Sequence, residues 1–118
     1  MYKIREVTLK NGPKERNVLV IDFDDPDMQI VGEFLMADAS MLQGKILQEI
    51  DFVLNNGKSI TSNGNRCSLD VRPDTTIISD LFSGMTGVDA YPAYEIETEK
   101  LRDLIVMWLT EIDKFKQG

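Results

Sequence analysis

Asp22, Asp24, Asp25 and Asp27 crowd into one short stretch with the spacing D-x-D-D-P-D. Carboxylates this close hold hard cations such as Mg²⁺ or Ca²⁺ through oxygen ligands, and a pair of such ions would support phosphoester hydrolysis. The stretch lacks the central glycine and distal glutamate of an EF-hand loop. No glycine loop that would cradle a phosphate accompanies it. The other reading is a solvated turn or an acidic patch facing a partner. That reading suits Pro26, which removes a backbone donor, and aspartates, which favour turn geometry. A metal-assisted phosphoesterase therefore ranks below a binding role.

The remaining catalytic vocabulary is sparse. The chain has no histidine, which excludes a Ser-His-Asp triad, a Cys-His pair and any zinc site containing histidine. Cys67 is the single cysteine, so no intramolecular disulfide is possible. As a lone thiol it could be a nucleophile, but its inward parity on a strand makes it a small core residue. No catalytic residue, cofactor or metal site is expected. Asn63-Gly64-Asn65 reads as a hairpin turn, since Asn and Gly tolerate positive φ. Met85, Tyr91 and Tyr94 stand in a long loop, either as interface anchors or as a lid folded onto the core.

The elements that must position these groups follow from periodicity. Tyr2 to Leu9 is β-like, and the parity switch between Ile4 and Val7 suggests a bulge or an edge strand. Asn11-Gly12-Pro13 marks a turn. Asn17 to Phe23 contains the continuous apolar run Val18-Leu19-Val20-Ile21, which predicts a central strand buried on both faces. A third strand is expected over Met28 to Met36, although Gly32 weakens it. Ser40 is placed to cap a helix over about 41–55, ended by Gly57. Cys67, Leu69 and Val71 alternate with Arg66, Ser68 and Asp70, so Asp70 faces outward on a half-buried strand. Thr75 to Phe82 is a further strand, and residues 83–95 a loop. Thr98 is expected to cap a last helix over about 99–116, with Leu101, Leu104, Ile105, Trp108, Ile112 and Phe115 as its buried stripe.

The expected fold is α+β: a mostly antiparallel sheet of about five to six strands with two packed amphipathic helices. The 118 residues suit a single domain over 1–118, with 42% hydrophobic and 28% charged residues, ordinary for a folded chain. Neither a signal peptide nor an apolar run near the ~20 residues of a membrane helix is present, so a cytoplasmic location away from membranes is expected.

Net charge is −7 and the sequence pI about 4.5, which disfavours direct nucleic-acid binding and would attract a basic partner. The charge is uneven. Residues 1–16 carry five basic and two acidic groups, a net of +3; the remainder carries eight against eighteen, a net of −10.

The second half resembles a known family. Val53-Leu54-Asn55-Asn56-Gly57, Ser62-Asn63-Gly64-Asn65-Arg66-Cys67-Ser68-Leu69-Asp70, Thr76-Ile77-Ile78 and the stretch from Ile96-Glu97-Thr98-Glu99-Lys100-Leu101 through Ile105, Trp108 and Leu109 are similar to small bacterial immunity proteins. These are the partners of contact-dependent growth-inhibition toxins and other polymorphic toxins. The resemblance covers about residues 46–112, and its motifs are structural. It implies a one-to-one complex with a toxin domain, often a nuclease whose basic cleft an acidic protein would cover. Under that reading Asp24, Asp25, Asp27 and Asp70 are the candidate charged contacts, and Tyr91 and Tyr94 the candidate anchors. A non-catalytic adaptor with another partner is the alternative.

Overall fold

The computed structural model describes residues 1–83, 85 and 90–117. Strands β1 (Tyr2–Asn11) and β2 (Lys14–Phe23) form a ten-residue antiparallel hairpin, in register from Tyr2↔Phe23 to Asn11↔Lys14. Gly12 takes φ +65 in the two-residue loop, where a Cβ would be strained. Pairing is unbroken, so there is no bulge. The parity switch instead places Ile4 and Val7 on opposite faces of the ribbon. The central-strand expectation for residues 17–23 is corrected: β2 belongs to a two-stranded sheet, and of its apolar run only Ile21 is buried.

The expected strand at 28–36 is helical instead. A 3-10 turn (Pro26–Met28) leads into α1 (Gln29–Glu33), a π-helical stretch (Phe34–Ala39) and the short α2 (Ser40–Leu42). Asp25 accepts a hydrogen bond from the Asp27 N–H at 2.9 Å, and Pro26 occupies the first turn, where no N–H is needed. Ile30-Val31, Phe34-Leu35 and Asp38-Ala39 recur every four residues and are all buried, the stripe of a helix and not of a strand. Gly32 lies against β2, where a Cβ would meet the Ile21 carbonyl oxygen at 3.5 Å, an ordinary contact distance.

Gln43, at φ +51, breaks the chain between α2 and α3 (Gly44–Asn56). The expected cap at Ser40 is thus corrected. Its Oγ donates to the Leu35 carbonyl at 2.9 Å and accepts the Trp108 indole N–H at 2.8 Å. Gly57 ends α3 at φ +66, its N–H bonded to Val53.

Strands β3 (Ile60–Asn63), β4 (Cys67–Val71), β5 (Thr75–Asp80) and β6 (Tyr94–Glu97) form an antiparallel meander in sequence order. Strand β6 replaces the end of the expected loop at 83–95. Positions 84 and 86–89 of that loop, with Gly84 and Gly87, lie outside the described residues. Helix α4 (Thr98–Gln117) packs Leu101, Ile105 and Trp108 into the core. Thr98 does not spend its hydroxyl on a cap. It bonds the Arg72 carbonyl and the Thr76 hydroxyl, the latter at 2.8 Å, and so ties the helix start to β4 and β5.

The fold is α+β, with six strands in two antiparallel sheets and packed helices among the described residues. One cluster of buried apolar residues runs from Ile21 through Phe34, Ile50, Leu69 and Ile78 to Trp108. Among the described residues no helix is long and apolar enough to cross a membrane.

Candidate functional site

At the open end of the hairpin the chain builds an apolar groove of about 700 Å³. Tyr2 and Phe23, paired across the strands with rings 5.9 Å apart edge to face, form one wall. Met1, Met28, Tyr94, Ile96, Leu104 and Met107 supply the rest of its apolar lining, and Lys100 and Asp103 its charged lining. Methionine side chains adapt their shape to what they meet, which suits a docking surface.

The aspartate turn runs between two wall residues, Phe23 and Met28. The Asp24 N–H donates to the Met1 carbonyl at 2.9 Å, and the Asp24 carboxylate lies 3.7 Å from the terminal amine. Asp24, Asp25 and Asp27 are exposed in this turn, which joins two of the residues that line the groove. Asp22 is not part of the group. It points to the other side of β2 and pairs with Arg5 at 2.7 Å. Among the described residues no three acidic, histidine or cysteine side chains are placed to hold a metal ion together.

The other expected site residues are dispersed. Tyr94 lines the groove. Asp70 lies on the opposite face of the four-stranded sheet, in register with Ile77 and Glu95 and paired with Arg72 at 2.7 Å. Tyr91 belongs to a third place, around Arg66.

There Asp80, with a fully buried side chain, receives Arg66 through Nε at 3.1 Å and Nη2 at 2.8 Å. It also accepts the N–H groups of Phe82 at 2.9 Å and Tyr91 at 3.0 Å. The guanidinium lies 4.4 Å from the Phe82 ring centre and 5.8 Å from that of Tyr91. Burial pushes the Asp80 carboxyl up, but Arg66 and the two N–H donors outweigh it and hold it below its ordinary value. Both ends of the 81–91 segment are thus fastened to one carboxylate.

A second buried carboxylate organises the β3–β4 turn. Asp38, 1% exposed, accepts from the backbone N–H groups of Asn65 at 2.8 Å, Arg66 at 2.9 Å and Cys67 at 2.7 Å. Gly64 is required by this closeness and not by a positive φ. A Cβ there would stand 2.4 Å from the Asp38 carboxyl carbon. Sequence reading missed Asp38 because it assigned a strand nearby. The signal available was its place on the four-residue stripe with Phe34 and Leu35.

Cys67 is fully buried as expected. Burial first, and then the carboxylates of Asp38 and Asp80, push its thiol up to about 12. A thiol so held is a poor nucleophile at neutral pH. We expect it to stay unmodified by a thiol reagent in the native protein and to react at once in denaturant. Fast labelling without denaturant would contradict its burial.

No family model matches the chain, and no solved structure matches it. An immunity protein of Bacillus cereus is 36% identical over 93 residues, covering 78% of this chain and 77% of that protein.

Proposed function

The chain belongs to the immunity-protein family, and we propose from this that it neutralises a cognate toxin domain by forming a stoichiometric one-to-one complex with it, without catalysis. The toxin would be of the contact-dependent growth-inhibition or polymorphic type, with a nuclease whose basic cleft suits an acidic partner as the leading candidate. The observation that carries the contact assignment is the apolar groove, joined in sequence to the exposed aspartate turn. It offers desolvated area for lifetime and exposed carboxylates for steering.

Tyr94 is the central anchor in this reading, with Met28, Leu104 and Met107 around it. Asp24, Asp25 and Asp27 supply the steering field. Asp70, together with Glu95 and Glu97, extends the acidic field on the outer face of the four-stranded sheet. Tyr91 contributes by holding its loop against Arg66 and Asp80, not as a free anchor. We place the protein in the cytoplasm as a single domain over 1–118, where it would meet an incoming toxin.

Co-expression with the toxin domain encoded beside its gene is the decisive experiment. Restored growth and a one-to-one complex on size exclusion are the expected results. A toxin that kills regardless and elutes alone would end the proposal.

The groove assignment has its own kinetic test. Asp24→Asn, Asp25→Asn and Asp27→Asn combined should slow association and flatten its salt dependence, leaving stability little changed because all three are exposed. Tyr94→Ala should instead speed dissociation, by roughly the 2 kcal/mol or more of a hot spot. Stopped-flow traces across a salt series separate the two effects. Unchanged rates in both variants would move the binding face elsewhere.

A further inference from the structure

The apolar run Val18-Leu19-Val20-Ile21 is the pattern of a strand covered on both faces, yet β2 is covered on only one. Register and alternation put Tyr2, Ile4, Leu19, Ile21 and Phe23 on the inner face of the hairpin, where all five join the core cluster. The pairs Val7↔Val18, Leu9↔Arg16 and Arg5↔Val20 lie on the outer face. Val7, Val18 and Val20 are half-buried without joining the core cluster, Val18 lining a shallow groove with Ile112 and Phe115, and Leu9 is 46% exposed. A two-stranded ribbon has no further layer to cover such a face, and the ribbon alone is a weak structure. The sequence has supplied the outer face with apolar side chains that the monomer does not use.

Charge says what would cover it. Lys3, Arg5, Lys14 and Arg16 share that outer face with a single acid, Asp22, which is paired to Arg5. The occupant must therefore be apolar at its centre and acidic at its edge. The groove lined by Met28 and Tyr94 comes nearest to that chemistry: Asp103 and Lys100 both line it, and the exposed Asp24, Asp25 and Asp27 stand in the turn that joins its lining residues Phe23 and Met28, which tips the balance to acid. Two outer faces packed on each other would set basic against basic and are disfavoured for that reason. Each copy carries one face and one groove, so a reciprocal exchange about a two-fold axis satisfies both and closes.

We propose that the outer face of the β1–β2 hairpin is a self-association surface, docking across the acidic groove of a second copy in a two-fold dimer. The proposal stands apart from the toxin reading and can be tested with no toxin present. Since the same groove would serve both partners, toxin and second copy would compete for it.

Sedimentation of the full chain over a range of protein and salt concentrations tests it. A monomer–dimer equilibrium that salt drives toward monomer is expected. Leu9→Ser, at an exposed site that leaves the core intact, should weaken the dimer on the order of tenfold. Lys14→Glu with Arg16→Glu should weaken it as well, and so should Asp24→Lys with Asp25→Lys. Mixing those two reversed variants should give a mixed dimer in which both contacts are complementary, one with its charges swapped and one native. Circular dichroism confirms that each variant is folded. A chain that is monomeric throughout overturns the proposal. So does a dimer indifferent to Leu9→Ser, or reversed variants that fail to rescue each other. Protection of the outer face only in a toxin complex would assign it to the toxin and overturn the second copy as occupant.

Discussion

Asp38→Ala should cost about 3–9 kcal/mol, because it leaves three backbone N–H groups without their acceptor, at roughly 1–3 kcal/mol for each. A domain of this size has about 5–15 kcal/mol in all, so the variant sits near the edge of folding. Asp38→Asn keeps one carbonyl acceptor but turns an amide donor toward other donors, and it should lose an intermediate amount. Urea melts of the three proteins measure the series. Gly64→Ala adds an independent check, because its methyl would collide with the same carboxyl group. Made together with Asp38→Ala it should cost less than the two changes add to separately. Strict additivity would mean that the glycine is needed for some other reason.

Asp80→Ala should cost about 3–5 kcal/mol at neutral pH, the usual penalty for breaking a buried ion pair by removing one member. The loss reaches further than Arg66, since the N–H groups of Phe82 and Tyr91 share the carboxylate. Limited proteolysis should therefore cut the 81–91 segment in this variant much sooner than in the native protein. The pH dependence has a definite sign. The folded carboxyl titrates below its ordinary value, so the folded state binds fewer protons there than the unfolded chain. Its contribution is complete above the unfolded carboxyl value, about 3.9, and disappears as pH falls through the folded one. Native protein should lose stability steeply in that acid range, and Asp80→Asn should show a shallower acid limb. Equal limbs in both would mean that other carboxylates govern acid unfolding.

Sequence reading succeeded where one period ran long enough to be unambiguous. The apolar stripe from Leu101 to Trp108 predicted α4 within a residue or two, and the Cys67-Leu69-Val71 alternation gave both the strand and the inward thiol. Residues 28–36 were misread because the apolar residues were fitted to a strand in spite of Gly32, while the four-residue recurrence of Ile30, Phe34 and Asp38 went unused. Strand β6 has only four residues, Tyr94–Glu97, too few to show a period. The run in β2 had the composition of a central strand, and nothing local could reveal that the hairpin stands without a third strand.

The groove was half legible. Exposed aspartates beside Pro26 were plain from residue types, and Tyr94 stood out as an aromatic outside any periodic stripe. What joined them was distance folded away, since Tyr94 meets Phe23 and Met28 from more than sixty positions along the chain. The two buried carboxylates were hidden for the same reason: Asp38 finds its donors 27 to 29 residues later and Asp80 finds Arg66 14 residues earlier. Alternation tells which side of a strand a residue faces, and nothing about what arrives there.

The order of strands also sets how quickly a newly made molecule becomes useful. In both sheets every strand pairs with its neighbour in sequence, so every pairing but β5–β6, which closes over residues 81–93, needs only a short loop and little entropy. Proteins built from such local pairings fold faster than those that must bring distant strands together. Under the proposed one-to-one neutralisation, a cell would depend on how soon each ribosome's product is ready. This meander shortens that interval by letting each strand find its place against the one made just before it.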